Sequence, residues 1–479
     1  MEDVRPEHQP IDVLILAAGL GTRMRSNLAK VLHRLDGRPL ISHVWRTAAA
    51  LDPRRIYVVV GHQGEEVRRA VALEETNADR TRFVIQEKQL GTGDAVIAAR
   101  PFLADDESTV LILSGDVPMI RPETLAGLVQ HHRSHRGKGA AATLLTVKLK
   151  DPAGYGRVVR DHEGLFERVV EQKDATDEER QISEINAGIY SFESRKLFAA
   201  LEKVRNDNAQ GEYYLTDVPG ILREEGEDVA VFNHHDAFEV EGVNDRVQLS
   251  DLERLLCRRT ISRLMLDYGV TFIDPKNAYV SEQASIGRDT IIHPSVTIEG
   301  RTVIGDGCEI RSGTRIANSR IGRSVEIRDN CLIVDSEVAD GAAVGPMAHL
   351  RDKAEIGPDA RIGNFVEVKK SRIGRGTKAS HLTYLGDAAI GENTNIGAGT
   401  ITCNYDGVRK HETTIGDNVK IGSDTMLVAP ITVGDGAATG AGSVVTKNVE
   451  PGKLVVGAPA RAIKTLDTNG ATAGEKNKD

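Results

Sequence analysis

Residues 280–316, VSEQASIGRDTIIHPSVTIEGRTVIGDGCEIRSGTRI, decide the fold of the second half of this chain. Aliphatic residues recur there at strict steps of six, from Val280 to Ile316, and Gly or a small polar residue often follows them. This period is typical of a parallel β-helix, in which three hexads make one coil and the aliphatic side chains stack into a narrow core. The stretch therefore predicts a β-helix rather than a layered domain.

The same period extends well beyond the quoted stretch. It slips by one residue at Ile321 and again before Val338, runs on to Ile396, and resumes from Ile415 to Val445. With about twenty-seven core positions we expect roughly nine coils. Between the two regular stretches, TCNYDGVRKHET lacks core aliphatic residues. This segment is predicted to leave the β-helix as a loop, although a simple insertion at a turn is an open alternative.

The first half has a different pattern. Apolar runs such as IDVLILAAG and RIYVVVG alternate with segments of helical periodicity. That alternation predicts an α/β domain of Rossmann-like type, with a mostly parallel sheet covered on both faces and ligands beyond the carboxyl ends of the strands. Residues 244–268 have helical spacing and predict a long linking helix that stops at Gly269.

These patterns divide the chain into four parts. We predict a first domain over residues 1–246, a helical linker over 247–267, a β-helix domain over 268–465 and a disordered tail over 466–479. A chain of 479 residues is long enough for two or more domains.

Charge and composition argue against some classes of partner. The formal net charge is -9, from 70 acidic and 61 basic residues, which argues against nucleic acid or an anionic membrane surface. No apolar run is long enough to span a membrane and the N-terminus is polar, so we expect a cytoplasmic protein. The 4 cysteines lack metal-binding spacing, and we expect them to be reduced and mostly buried.

A glycine-rich loop follows the first predicted strand. LAAGLGTRM, residues 16–24, offers main-chain N–H groups and Arg23, with Lys30 close behind, and such a set suits a polyphosphate. The loop matches neither the Walker pattern nor G-x-G-x-x-G, and a tight turn with a solvated arginine is an equally good reading. In LSGDVPMI, Asp116 ends a strand, where a carboxylate can hold Mg²⁺ or cap a turn.

A pair of cations is predicted on one face of the β-helix. Arg351 and Lys369 each follow a core aliphatic residue and are 18 residues apart, which is one coil. They should stack ~4.8 Å apart and repel each other unless an anion lies across them. Glu367 and Asp352 offer that negative charge, which leaves two alternatives: a solvated charged face or a phosphate-binding pair.

The chain from about Ile11 to Ala458 resembles the bifunctional N-acetylglucosamine-1-phosphate uridyltransferase / glucosamine-1-phosphate N-acetyltransferase family. The resemblance rests on LAAGLGTRM, QLGTGDA, GDVP, GYGR, EINAGIY, GEYYLTD, EVEGVN, NFVEVKK, SHLTYLGD and GAGTITCNYDG. It implies a left-handed β-helix and two activities. Acetyl-CoA acetylates glucosamine 1-phosphate, and a Mg²⁺-dependent uridylyl transfer from UTP to N-acetylglucosamine 1-phosphate then gives UDP-N-acetylglucosamine and pyrophosphate for peptidoglycan and lipopolysaccharide precursors. A single-activity nucleotidyltransferase with a passive β-helix, or a binding scaffold, are the alternatives.

In the first domain, the resemblance implies catalytic roles for Arg23 and Lys30 and a Mg²⁺ site at Asp116 and Asn244. Ser114 departs from the residue that some members carry. The positions implied to bind substrate are Leu16, Ala17, Ala18, Gly19, Lys30, Gln86, Gly91, Thr92, Ser114, Gly115, Asp116, Gly156, Glu171, Asn186, Thr216 and Asn244. Among them, the resemblance implies that Gln86, Gly91 and Thr92 read uracil and that Gly156, Glu171, Asn186 and Thr216 line the sugar side.

In the β-helix, the resemblance makes His381 the base that removes a proton from the sugar amine. A lone histidine is otherwise more often structural. The other positions implied are Arg351, Lys369, Tyr384 and Asn395 for the sugar phosphate, and Ala398, Asn404, Tyr405, Ser423, Ala441 and Arg461 for acetyl-CoA. Arg461 is included because Ala458 stands where the family has an arginine. These residues occupy more than one face of the β-helix, so we predict a homotrimer with sites between neighbouring chains.

Overall fold

The computed structural model describes residues 9–19, 21–61, 63–74, 80–104 and 107–465. The chain divides into two compact units, residues 1–253 and 254–479, so the division lies inside the linking helix. The limits predicted above at 246 and 268 stay a prediction, and the predicted tail at 466–479 lies outside the described residues. Within the described part of the chain, no helix is long and apolar enough to cross a membrane.

Unit 1 is built on a nine-stranded sheet. Its strands, with a small separate hairpin formed by β2 and β3, are β1 Ile11–Leu16, β2 Arg34–Leu35, β3 Arg38–Pro39, β4 Arg55–Val60, β5 Thr81–Ile85, β6 Thr109–Ser114, β7 Ala142–Lys148, β8 Arg157–Arg160, β9 Phe166–Val170, β10 Glu184–Glu193 and β11 Val229–His234. The helices are α1 Leu40–Ala49, α2 Gly64–Ala72, α3 Thr92–Ile97, α4 Arg100–Leu103, α5 Pro122–Ser134, α6 Ser194–Leu201, α7 Val218–Glu224 and the linking α8 Arg246–Tyr268. Short 3-10 turns occur at Thr22–Met24, Lys30–Leu32, His135–Gly137, Glu179–Gln181, Leu215–Asp217 and Ala237–Val240.

The sheet order is β11-β7-β10-β6-β1-β4-β5, with β8 and β9 attached beside β10. Strands β6, β1, β4 and β5 are parallel, whereas β10 runs antiparallel to both of its neighbours in this order. Successive residues of β1 enter different cores, Val13 in one and Leu14 in the other. Both faces of the sheet are therefore covered, which confirms the predicted α/β class.

The order of the strands also locates the crevice of unit 1. From β1 the chain proceeds outward to β4 and β5, and then returns to add β6 on the opposite side of β1. Ligands bind at such a switch point, beyond the carboxyl ends of the two diverging strands. The loops that leave Leu16 and Ser114 flank this point.

Unit 2 is a parallel β-helix with three faces. Two faces form a continuous 20-stranded sheet, and the third is a separate 9-stranded sheet with one strand for each of nine coils. Its strands are Thr271–Phe272, Tyr279–Val280, Ser285–Ile286, Ile291–Ile292, Thr297–Glu299, Val303–Ile304, Glu309–Ile310, Arg315–Ala317, Arg320–Ile321, Glu326–Ile327, Leu332–Val334, Glu337–Val338, Ala343–Val344, His349–Arg351, Glu355–Ile356, Arg361–Lys369, Arg372–Ile373, Lys378–Gly386, Ala388–Ile390, Asn395–Ile396, Ile401–Cys403, Thr413–Ile415, Lys420–Ile421, Met426–Val428, Ile431–Val433, Ala438–Thr439, Val444–Val445, Lys453–Gly457 and Ala460–Thr465.

The structure confirms the core that the six-residue period predicts. The aliphatic residues from Val280 to Val445 that keep the period are buried in one continuous cluster. Ile327 and Ile333 also belong to this cluster, in the gap that the sequence pattern had left between Ile321 and Val338.

The interruption is shorter than its sequence suggests. Thr402 is fully buried and occupies the next core position after Ile396, because it pairs with core residue Leu427. The chain leaves the β-helix only after Cys403 and returns at Thr413. A threonine is accommodated in the core because its hydroxyl donates to Gly386 O at 3.0 Å. The loop is therefore confirmed, and its first residue moves from 402 to 404.

Candidate active sites

The glycine loop of unit 1 brings Lys30 to the switch point. Gly21 has a φ of 59°, and a Cβ built there would lie 2.6 Å from the Cβ of Lys30. Any other residue would push Lys30 away, so the loop requires glycine at this position. Lys30 begins the 3-10 turn Lys30–Leu32, which directs its ammonium back toward the ends of β1 and β6.

The ammonium of Lys30 contacts both residues of the predicted metal pair. It donates to Asp116 Oδ2, with which it forms an ion pair, and to Asn244 Oδ1 at 3.3 Å. The main chain holds the two segments together, since Val243 N donates to Asp116 O at 2.9 Å. Two oxygen donors, one of them charged, thus converge on a single cationic position. This donor set fits a hard divalent cation, which takes carboxylate and amide oxygens.

A cavity of about 420 Å³ opens beside this cluster. Ten of the predicted residues line it: Leu16, Ala17, Ala18, Gly19, Lys30, Gln86, Gly91, Thr92, Ser114 and Asp116. The other predicted residues of unit 1 lie outside the lining, among them Arg23, which is exposed, and Gly115, which is buried where a Cβ would lie 2.9 Å from Leu16 O. Gly115 therefore permits the close approach of the two strand ends.

The residues predicted to read uracil are held by local contacts. Gln86 is buried, and its Nε2 donates to Asp94 Oδ2 at 2.7 Å and to Gly91 O at 3.2 Å, which fixes its carboxamide. Gln89 Nε2 donates to Ala18 O at 2.6 Å and so ties the glycine loop to the loop before α3. Gln89 was not singled out from the sequence, although it lies within the QLGTGDA motif.

The residues predicted for the sugar side form a group of their own. Asn186 N donates to Gly156 O at 2.9 Å, and Thr216 Oγ1 donates to Glu171 Oε1 at 3.1 Å. Burial raises the pKa of the Glu171 carboxyl. Burial, together with the nearby Asp174, also raises the pKa of Asp217 to about 6. The structure thus brings these residues together around polar groups that are poorly solvated.

In unit 2, the predicted stacking of Arg351 and Lys369 is confirmed, since the two are paired on adjacent strands. Arg351 Nη2 lies 2.7 Å from Glu367 Oε1, and Arg351 Nη1 lies 3.0 Å from Asp352 Oδ2. Lys369 Nζ is 3.8 Å from the same Asp352 oxygen. Internal carboxylates therefore separate the two cations here. Glu367, by its hydrogen bond, raises the pKa of the Arg351 guanidinium.

The loop that interrupts the repeat reaches this charged group. Asn404 is buried, and its Nδ2 donates to Asp387 Oδ2 at 2.7 Å and lies 3.5 Å from the hydroxyl of Tyr384. Lys410, on the same loop, was not predicted from the sequence. The side chain of Lys369 lowers the pKa of the Lys410 ammonium, so two cations stand side by side. Tyr405 is 60% exposed and points its hydroxyl at Gly407 O.

His381 lies at the corner between the first two faces of the β-helix. Its Nδ1 is 3.0 Å from Oδ1 of Asn364, the residue paired with it on the preceding coil. Leu382, with a φ of 32°, turns the chain immediately after the histidine, so His381 precedes the face that carries Lys369.

Small residues continue the column that His381 begins. Ala398, Ser423 and Ala441 each lie two residues beyond a core position, as His381 does, and those core positions are stacked coil upon coil. Main-chain bonds keep the corner in register, because Asp424 N donates to Ala398 O at 2.7 Å and Gly442 N to Ser423 O at 2.8 Å. From His381 to Ala441 the column spans three strand spacings, about 14 Å.

Two predicted residues lie at the edges of this arrangement. Asn395 is exposed on the first face, between Lys378 and Lys420 in the strand ladder. Arg461 is exposed on the final hairpin, opposite Val456, and thus lies beyond the Ala441 end of the column.

Comparison with known proteins covers both units. Residues 12–239 match the nucleotidyl transferase family model, and residues 283–318 and 412–447 match the bacterial transferase hexapeptide model. The bifunctional protein GlmU of Geotalea uraniireducens is 49% identical over 92% of this chain and 95% of its own length. The same-named proteins of Shouchella clausii and Corynebacterium glutamicum are 46% and 47% identical, over 91% and 93% of this chain and 94% and 91% of their own lengths. With both units matched in order and nearly full-length identity of this size, the chain belongs to the family of bifunctional GlmU proteins.

Proposed function

We propose that this bifunctional enzyme carries one activity in each unit and that both act on one sugar in sequence. In unit 2, the acetyl group of acetyl-CoA is transferred to the amine of glucosamine 1-phosphate. In unit 1, the resulting N-acetylglucosamine 1-phosphate attacks UTP to give UDP-N-acetylglucosamine and pyrophosphate, for peptidoglycan and lipopolysaccharide precursors. Because UTP and acetyl-CoA are cytoplasmic metabolites, we assign both reactions to the cytoplasm.

The convergence of Lys30, Asp116 and Asn244 at the switch point carries the proposal for unit 1. Uridylyl transfer requires the sugar phosphate to lie in line with the α-phosphorus and requires neutralisation of charge, with no protein nucleophile. Lys30, with Arg23 on the loop above it, supplies positive charge to the phosphates. Gln86 reads the uracil, and the group that contains Glu171 and Asn186 holds the sugar.

The divalent metal of this family is assigned here to Mg²⁺. Asp116 and Asn244 would hold it, because one carboxylate and one amide oxygen suffice for an ion that keeps waters and phosphate oxygens as its other ligands. The ion would supply charge neutralisation at the phosphates. The ammonium of Lys30 balances the Asp116 carboxylate.

The column that leads from Ala441 to His381 carries the proposal for unit 2. Small side chains leave room for the long, thin pantetheine arm, whose thioester would then lie at His381. Asn364 Oδ1 accepts a hydrogen bond from Nδ1–H, so Nε2 of the neutral ring carries no proton and can take one from the attacking amine. Arg351, Lys369 and Lys410 bind the sugar phosphate, with Tyr384 and Asn404 beside them. Asn395, Tyr405 and Arg461 complete the set as contacts to the two substrates.

A homotrimer is part of the proposal. The proposed phosphate-binding cations Arg351, Lys369 and Lys410 lie on a different part of the β-helix from the His381 column. A neighbouring copy therefore completes each site. A row of exposed apolar side chains supports this arrangement. Met347, Phe365 and Leu382 are 46%, 55% and 64% exposed, and all three have positive φ at the corner beside His381. Such exposure of large apolar residues in strained backbone favours burial against a partner.

One assay tests the division between the units. Purified protein is mixed with acetyl-CoA, glucosamine 1-phosphate, UTP and Mg²⁺, and release of CoA and of pyrophosphate is followed. We expect His381→Ala to lower CoA release by ~10²-fold or more and to retain pyrophosphate release when N-acetylglucosamine 1-phosphate is supplied. Asp116→Ala should do the reverse. If either substitution removed both activities to the same extent in a folded protein, the two-site proposal would be wrong.

A further inference from the structure

Glu239 is a buried carboxylate that no step above uses. It is only 2% exposed and lies in the 3-10 turn Ala237–Val240, five residues before Asn244. A buried carboxylate is costly unless hydrogen bonds and positive charge compensate for the loss of water. Its contacts therefore indicate what the structure gains from keeping it.

Those contacts are made to the start of α5. Glu239 Oε2 accepts from Thr124 Oγ1 at 2.6 Å and from Arg121 N at 3.2 Å, while Oε1 lies 3.5 Å from Arg121 Nε. On the other side, His234 Nε2 lies 3.3 Å from Oε1. The carboxylate thus serves as the N-terminal cap of a helix to which it does not belong, where the helix dipole favours negative charge.

Arg121 follows Asp116 by five residues, just as Asn244 follows Glu239 by five. The segments 116–121 and 239–244 are therefore joined at both ends. At one end Val243 N donates to Asp116 O at 2.9 Å, and at the other Glu239 binds Arg121 and Thr124. Two connections fix both the separation and the relative orientation of the segments, whereas one would leave a hinge.

We propose that Glu239 is a positioning residue that sets the geometry of Asp116 and Asn244 for a divalent cation. It touches neither the cation nor the substrates, and it acts through the two segments that it clamps. This inference rests on the proposed metal site. It adds a residue whose loss weakens metal binding while Asp116 and Asn244 are both still present.

The test uses the full chain and Mn²⁺ as a paramagnetic probe. Binding of Mn²⁺ in the presence of UTP is measured by electron paramagnetic resonance, and the Mg²⁺ concentration for half-maximal uridylyl transfer is measured in parallel. For Glu239→Ala we expect both constants to rise at least tenfold, with acetyl transfer unchanged. Glu239→Gln retains an acceptor for Thr124 and Arg121 and should lie between Glu239→Ala and the parent protein.

A stability control separates positioning from simple capping. The chain has 1 tryptophan, Trp45, which is buried on α1 in unit 1, so its fluorescence reports the unfolding of that unit. Thr124→Val removes the hydrogen bond from Thr124 Oγ1 to Glu239 and keeps the one from Arg121 N. It therefore serves as a comparison variant in which unit 1 is less stable but Glu239 is still present. If Glu239→Ala lowered the Trp45 transition yet left both metal constants within twofold of the parent, Glu239 would be only a cap and the inference would be overturned. If the parent itself bound no Mn²⁺ and needed no Mg²⁺, the proposed function of unit 1 would fail instead.

Discussion

The imidazole of His381 and the carboxamide of Asn364 meet across one coil of the β-helix, with 3.0 Å between Nδ1 and Oδ1. This contact fixes the ring and leaves Nε2 directed away from Asn364. When Nδ1 carries the proton of the neutral ring, Nε2 is the nitrogen that can act as the base.

We therefore expect graded losses of acetyl transfer from these two residues. His381→Ala should lower kcat by ~10²-fold or more, the usual contribution of a general base. Asn364→Ala should lower it about tenfold, which corresponds to ~1.4 kcal/mol and lies within the usual contribution of one hydrogen bond. CoA release measures both effects, and pyrophosphate release from UTP and N-acetylglucosamine 1-phosphate serves as the internal control. Full acetyl transfer by Asn364→Ala would show that the contact does not orient the base.

The sequence predicts some of these relationships and not others, for a physical reason. A strict period of six places each aliphatic residue one coil from its neighbour, so burial from Val280 to Val445 and the pairing of Arg351 with Lys369 follow from counting alone. The aliphatic period does not mark Thr402 as a core residue, because its place in the core depends on the hydrogen bond that its hydroxyl donates to Gly386 O.

The sites are harder to predict than the fold, because their contacts join distant parts of the chain. The cap at Thr124 is supplied by a residue 115 positions away, and the hydrogen bond from Lys30 to Asn244 spans 214 positions. No local pattern encodes such pairs. Lys410 lies on a loop with no periodicity, so its approach to Lys369 becomes visible only once the β-helix is folded.

The column of small residues predicts a specific defect in acetyl-CoA binding. Ser423 lies in the middle of the column and is exposed, so Ser423→Phe should fold normally and fill the space proposed for the pantetheine arm. We expect KM for acetyl-CoA to rise more than tenfold and KM for glucosamine 1-phosphate to change little. Thr414→Phe, an exposed change on the third face, is the matched control and should alter neither constant. Equal increases for both substrates would argue against this path.

The carboxyl of Asp217 predicts a pH dependence of stability in unit 1. Its pKa rises from 3.8 to about 6, first because of burial and then because of Asp174. The folded state therefore favours the protonated carboxyl. Its contribution to the free energy of unfolding is fully present below pH 3.8 and is lost as pH rises through about 6. Asp217→Asn stays neutral, so its Trp45 unfolding temperature should match that of the parent at low pH and exceed it at pH 8. Glu224→Gln, at an exposed carboxylate on α7, should show no such divergence. A parent and an Asp217→Asn variant with parallel pH profiles would contradict the burial of this charge.

The exposed corner of unit 2 predicts how the assembly responds to charge. Phe365 is 55% exposed, has a φ of 56° and sits one residue beyond Asn364. Aspartate accepts positive φ more readily than phenylalanine, so Phe365→Asp should not destabilise the isolated chain. In a trimer that buries this corner, however, the new carboxylate would lose its water without gaining a partner. We expect sedimentation velocity to show dissociation toward monomers and acetyl transfer to fall with it, while uridylyl transfer in unit 1 continues. Leu165→Asp, which places a charge at a 45% exposed apolar position of unit 1, should leave both the assembly and acetyl transfer intact. A Phe365→Asp protein that sediments as a monomer yet acetylates at the parent rate would show that one chain holds a complete site.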